Sequence, residues 1–122
     1  PLHPRTKQKL IDYGLTLYAK LINPVGYFDM IKLMSNASLI MTDSGGVQKE
    51  AYFFKKKCVT LRSETEWLEL VNEGVNALTE INSLQIRQKV SDMLRRKVNF
   101  NNNLYGNGDA SQKICEILRN YG

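Results

Sequence analysis

Ser38-Leu39-Ile40-Met41-Thr42-Asp43-Ser44-Gly45-Gly46-Val47-Gln48-Lys49-Glu50-Ala51 is an apolar run that breaks into a polar, glycine-bearing turn and resumes at helical spacing. It reads as strand, tight loop and helix. Two glycines let the backbone approach a ligand closely, and the first amides of the helix lack intrahelical partners while carrying the positive end of its dipole. Such a terminus suits an anion. Ser44 adds a hydroxyl donor. Glu50, four residues beyond Gly46, returns to the same helix face about one turn on, where a carboxylate can accept hydrogen bonds from sugar hydroxyls. A phosphate followed by a sugar is the geometry of a nucleotide; the plainer reading is a generic strand-to-helix turn with Asp43 or Ser44 as N-cap.

Asp-Ser-Gly-Gly also surrounds the nucleophile of trypsin-like serine proteases. Here, however, a helix follows the serine at once, and His3, the only histidine, has no triad setting. A P-loop is excluded because no Gly-x-x-x-x-Gly-Lys occurs.

At 122 residues the chain has the length of one domain, with room for a core that needs neither metal nor disulfide. The opening Pro1-Leu2-His3-Pro4-Arg5-Thr6 reads as the exit from a strand that begins upstream, so the chain is expected to be cut from something longer. Seventeen basic against 12 acidic residues give a net charge of +5, a tilt that suits an anionic small ligand. Nucleic acid is not expected: Lys55-Lys56-Lys57 and Arg95-Arg96-Lys97 fall at predicted helix C-termini, where cations complement the dipole, and no aromatic residues interleave them. Cys58 and Cys115 show no metal spacing and read as reduced core residues of a cytoplasmic protein. No run reaches the roughly 18 apolar residues of a membrane span.

Outward from the turn, the pattern predicts a helix over Lys7 to Tyr13 stopped by Gly14, a strand at Leu17 to Ile22 ending at Asn23-Pro24, and a helix from Tyr27 to Asn36. Beyond the helix from Val47, Lys57 to Leu61 reads as a strand with Arg62 at its carboxyl end. Ser63 to Glu66 caps a helix through Trp67, Leu68 and Val71 to Gly74, and Val75 to Thr79 forms an edge strand. Ser83 caps an amphipathic helix, Asn99 to Asp109 is a loop, and Ala110 to Asn120 is the last helix. Alternating strands and helices predict an α/β fold, a parallel sheet with helices on both faces. Ligands bind such sheets beyond the carboxyl ends of the strands. That rule brings the Asp43 to Gly46 loop, Arg62 to Glu66 and the Val25 to Phe28 turn to one rim.

With these residues in place the chain resembles the C-terminal half of the non-hydrolysing UDP-N-acetylglucosamine 2-epimerases, whose two-domain architecture is called GT-B. The resemblance rests on His3-Pro4-Arg5-Thr6, on Pro24 to Tyr27, and on Thr42-Asp43-Ser44-Gly45-Gly46-Val47-Gln48-Lys49-Glu50-Ala51. It continues through Leu61-Arg62, Thr65, Glu66 and Glu69, and through Asn103 to Ala110. Two positions depart from the pattern. Lys49 stands where the family motif has glutamate, and Trp67 stands where many members have arginine. Similar tryptophan-containing versions occur in members acting on modified UDP-amino sugars, including diacetamido-uronates, so the resemblance leaves the sugar open.

The resemblance implies a Rossmann-like sheet and an enzyme that abstracts the proton at sugar C2, eliminates UDP and adds it back with the opposite configuration. UDP would be held by Ser44, Gly45, Gly46, Glu50 and Arg62, with His3, Tyr27 and Glu66 as further contacts to the cleft or to an effector nucleotide-sugar. The catalytic acid and base would lie upstream of Pro1, so these 122 residues would hold none and would be inactive alone. No cofactor or metal is implied. The partners would be UDP-N-acetylglucosamine or a related UDP-sugar, the N-terminal domain of the same enzyme and, at full length, a second copy in a homodimer; neither nucleic acid nor a membrane is among them. A GT-B glycosyltransferase would use the same nucleotide site, and a receiver-like signalling module would also carry an aspartate, Asp43, after an apolar strand.

Overall fold

The computed structural model describes residues 1–121, which fall into two compact units, one spanning Pro1–Asn36 and the other beginning at Ala37. In the first unit, α1 (Pro4–Asp12) starts with proline at its first position, where a missing N–H costs nothing. It ends as expected at Gly14, whose φ of +60° lets Leu15 N donate to Leu10 O at 2.8 Å and close the last carbonyls. The expected strand at Leu17 to Ile22 does not form. Residues of strand composition become a strand only when a ladder partner satisfies their backbone, and here one sheet-like bond is present, from Leu2 N to Ile22 O at 2.9 Å. The second helix, α2 (Tyr27–Asn36), has the predicted bounds, and Asn36 Nδ2 folds back to donate to Lys32 O.

The second unit is built on three parallel strands, β1 (Ile40–Thr42), β2 (Cys58–Thr60) and β3 (Asn76–Leu78), in that spatial order. Met41, Val59 and Ala77 stand side by side in register. All three residues of β2 are buried, as befits the central strand, and β3 lies at the edge as predicted. Between the strands run α3 (Gly45–Phe53), packed on β1 and β2, and α4 (Leu68–Asn72), packed on β3. The next helix, α5 (Ser83–Arg95), packs on β2, and α6 (Ala110–Asn120) follows the Asn/Gly-rich loop.

Several termini differ from expectation in ways the chemistry explains. Helix α5 is capped by Asn82 rather than Ser83: the Asn82 Oδ1 accepts from Leu84 N at 3.0 Å and Gln85 N at 3.2 Å. Helix α4 begins at Leu68, with Trp67 at the cap. The second basic cluster receives a structural partner, since Lys57 Nζ donates to Leu94 O at 2.8 Å and Arg96 O at 3.1 Å, satisfying carbonyls at the end of α5. Cys58 is buried as expected, and burial pushes its thiol up to about 11. Cys115 is exposed, not core, because the Ile114, Ile117 and Leu118 face of α6 is more than half exposed.

The Asn99–Asp109 loop does more than connect. Phe100, Leu104 and Tyr105 pack against a core cluster of Tyr52, Leu70 and Val75, and the Tyr52 hydroxyl donates to Asn102 O. Tyr105 reaches further: its hydroxyl donates to Glu69 Oε1 at 2.8 Å.

Candidate nucleotide site

The turn between β1 and α3 sits at the carboxyl end of a parallel strand, the position that open α/β sheets use for ligands. Helix α3 starts at Gly45, two residues earlier than expected, so both glycines lie inside its first turn and Ser44 is the N-cap. The Ser44 side chain makes no capping bond; its amide instead donates to Thr42 Oγ1 at 3.0 Å. The amides of Gly45, Gly46 and Val47 have no acceptor four residues back within the helix, which leaves three donors at the positive end of the dipole. At Gly46 a Cβ would meet nothing within 4 Å, so the backbone is open to an incoming group.

Gly45 is more enclosed. Its carbonyl accepts from Trp67 Nε1 at 3.0 Å, and a Cβ there would stand 3.4 Å from Glu66 Oε2. Glu66 is held in turn by Arg62, whose Nη2 donates to its Oε1 at 2.9 Å. The hydrogen bond from Arg62 holds the Glu66 carboxyl below the usual range, and the same bond raises the guanidinium. Asp43 adds to the field on Arg62. Glu50 lies on the second turn of α3, half-buried, and among the described residues its carboxylate has no ion-pair partner.

Ser44, Gly45, Gly46, Glu50, Arg62 and Glu66 therefore belong to one unit, with Gly45, Glu66 and Arg62 in a chain of direct contacts. His3 and Tyr27 belong to the other. His3 is the N-cap of α1, its Nδ1 accepting from Arg5 N at 3.2 Å, which is a capping role. Tyr27 is exposed at the start of α2, with its ring edge-on to Phe28 at 5.9 Å between centroids. Beyond β2 and β3 an open cleft of about 380 Å³ is lined by Arg62, Ser63, Glu64 and Glu80.

Sequence reasoning passed over Gln48, which proves to anchor the turn. It is 1% exposed, and its Oε1 accepts from Thr65 Oγ1 at 2.6 Å and Asn76 Nδ2 at 3.0 Å. Asn76 Oδ1 accepts from Thr60 Oγ1 at 2.9 Å, so the network joins α3, the central strand β2, the edge strand β3 and the Arg62 to Glu66 loop. A signal existed: Gln48 shares the buried helix stripe with Ala51 and Tyr52, an unusual place for an amide.

The family profile described as UDP-N-acetylglucosamine 2-epimerase matches residues 1–119. A UDP-2,3-diacetamido-2,3-dideoxy-D-glucuronate 2-epimerase of Pseudomonas aeruginosa is 47% identical over 97% of this chain and 33% of its own length. A UDP-N-acetylglucosamine 2-epimerase of Methanocaldococcus jannaschii is 42% identical over 96% of this chain and 33% of its own. Among solved structures, that of the Methanocaldococcus jannaschii UDP-GlcNAc 2-epimerase in complex with UDP-GlcNAc and UDP superposes with a TM-score of 0.81 at 43% identity. It covers 98% of this chain and 34% of the other. The chain thus spans about a third of the length of the relatives it matches. A profile match over nearly every residue, a three-stranded parallel sheet that superposes on these enzymes and a glycine turn at its strand ends together assign the chain to the UDP-N-acetylglucosamine 2-epimerase family.

Proposed function

We propose that these 122 residues are the UDP-binding part of an enzyme that inverts C2 of UDP-N-acetylglucosamine or a related UDP-amino sugar. The observation that carries this reading is the open backbone at Gly46, where a Cβ would meet nothing within 4 Å and the first amides of α3 lack intrahelical acceptors beside Ser44. In this reading the chain is one nucleotide-sugar-binding domain with a Rossmann-like sheet covered by helices on both faces, the C-terminal half of a GT-B enzyme. A relative caught with UDP-GlcNAc and UDP supports the ligand class.

The chemistry follows from charge. When the proton at C2 is removed and the C1–O bond breaks, the electron pair leaves with UDP, and the diphosphate gains negative charge. The amides of Gly45 and Gly46 and the Ser44 hydroxyl are preorganised donors for that charge, with no reorganisation needed as it develops. Glu50, one turn along, accepts from the ribose hydroxyls and retains UDP until it adds back to C1. Arg62 orients the loop through Glu66 and contributes positive potential. These groups are committed to phosphate and ribose, so the acid and base that exchange the C2 proton come from outside the 122 residues.

Calorimetric titration with UDP tests this. Gly46→Val fills the open space and abolishes binding, and Glu50→Ala weakens it by about 1–3 kcal/mol, the range for hydrogen bonds to a charged group. Equal affinity in both variants and the parent would place the site elsewhere. The chain alone incorporates no deuterium at C2 of the UDP-sugar in heavy water; incorporation would show that it carries its own base.

A further inference from the structure

Lys49 and Trp67 are in contact. The Lys49 Nζ stands 4.3 Å from the centroid of the Trp67 ring and 4.3 Å from that of Tyr105, a cation between two π faces. The two rings meet edge-on, 6.3 Å apart at 87°, and the Tyr105 hydroxyl donates to Glu69. The lysine's charge is thereby turned to the rings. What this arrangement fixes is the indole, whose single donor is directed at Gly45 O over 3.0 Å.

The turn needs such a tether. A glycine pair has the least conformationally restricted backbone a chain can offer, and neither glycine has a side chain to anchor it. The other bonds to the turn fall on Ser44: Thr42 Oγ1 accepts from its amide, and Gln48 Nε2 donates to its carbonyl at 3.4 Å. Trp67 is the side chain that bonds to a glycine of the pair, Gly45. We infer that Trp67 is a positioning residue for the diphosphate-binding turn and that Lys49, stacked between Trp67 and Tyr105, holds the indole in place. This rests on the UDP reading above. Arginine, like tryptophan, is a planar N–H donor. A glutamate suits the first as neighbour and a lysine the second.

The test is UDP titration calorimetry, with thermal unfolding in parallel, on the chain and three variants. Trp67→Phe keeps a ring under Lys49 but removes the donor; UDP affinity falls about tenfold while the unfolding midpoint stays near that of the parent. Trp67→Arg keeps a donor but sets two cations together, and affinity falls similarly. Lys49→Glu combined with Trp67→Arg restores affinity to within about threefold of the parent, the coupling expected of residues in contact. Parent-like affinity in Trp67→Phe, or a double variant no better than Trp67→Arg, overturns the inference while UDP binding stands. A parent chain that does not bind UDP overturns the UDP reading and this inference together.

Discussion

Gln48 on α3 and Asn76 at the first position of β3 are joined by a 3.0 Å hydrogen bond, Nδ2 to Oε1, between residues 28 apart in the chain. Both side chains are buried, and the same Gln48 oxygen takes the Thr65 hydroxyl, so one carboxamide ties the turn-bearing helix to the sheet edge and to the Arg62 loop. Replacing it strands the buried Asn76 amide and unpairs the half-buried Thr65 hydroxyl. Gln48→Ala is expected to cost about 2–4 kcal/mol in denaturant unfolding. Gln48→Glu keeps the acceptor but brings a charge into the core and should also destabilise.

Stability and ligand binding should separate at Gly46. A Cβ there meets no protein atom, and glycine inside a helix is entropically unfavourable, so Gly46→Ala is expected to stabilise the fold by about 0.5–1 kcal/mol while weakening UDP binding. Unfolding midpoints and UDP titrations on one preparation check both halves.

The Arg62–Glu66 pair carries a pH dependence of known sign. Arg62 holds the Glu66 carboxyl below its unfolded value, so in acid the unfolded chain binds the proton first and stability rises with pH across that window. The contribution is present above the ordinary glutamate range and is lost as pH falls through the depressed folded value. Carboxyl NMR titration should find Glu66 below that range in the parent and back within it in Arg62→Gln. The pair is exposed, so the effect on overall stability is small.

Among the described residues three helices end in the same backbone motif, and two of them use glycine for it. Gly14 and Gly74 follow α1 and α4 at φ +60° and +71°, whereas α3 is followed by Lys55 at φ +55°. Lys56 N still donates to Ala51 O at 2.8 Å, so the cap forms with a side chain in the left-handed region. Relief of about 1–2 kcal/mol of strain exceeds the added chain entropy of glycine. Lys55→Gly is expected to raise stability by about 0.5–1 kcal/mol in equilibrium unfolding.

Local chemistry was sufficient for much of this protein. Helical spacing set α2 at Tyr27–Asn36 and α6 at Ala110–Asn120, the β-branched run set β2, and the glycine turn after an apolar strand marked the candidate site. These are features in which residues a few positions apart share one face or one turn, so the sequence itself carries the geometry. Tertiary structure decided what depends on distant partners. Leu17–Ile22 has strand composition but no ladder, and Cys115 has an amphipathic helix but no cover. Gln48, Thr65 and Asn76 form a network only because the parallel sheet brings them together, and Trp67 reaches Gly45 across 22 residues. No periodicity encodes such contacts: a hydrogen bond between distant segments depends on the packing of the elements that carry them, and its energy appears only when both ends have left water together.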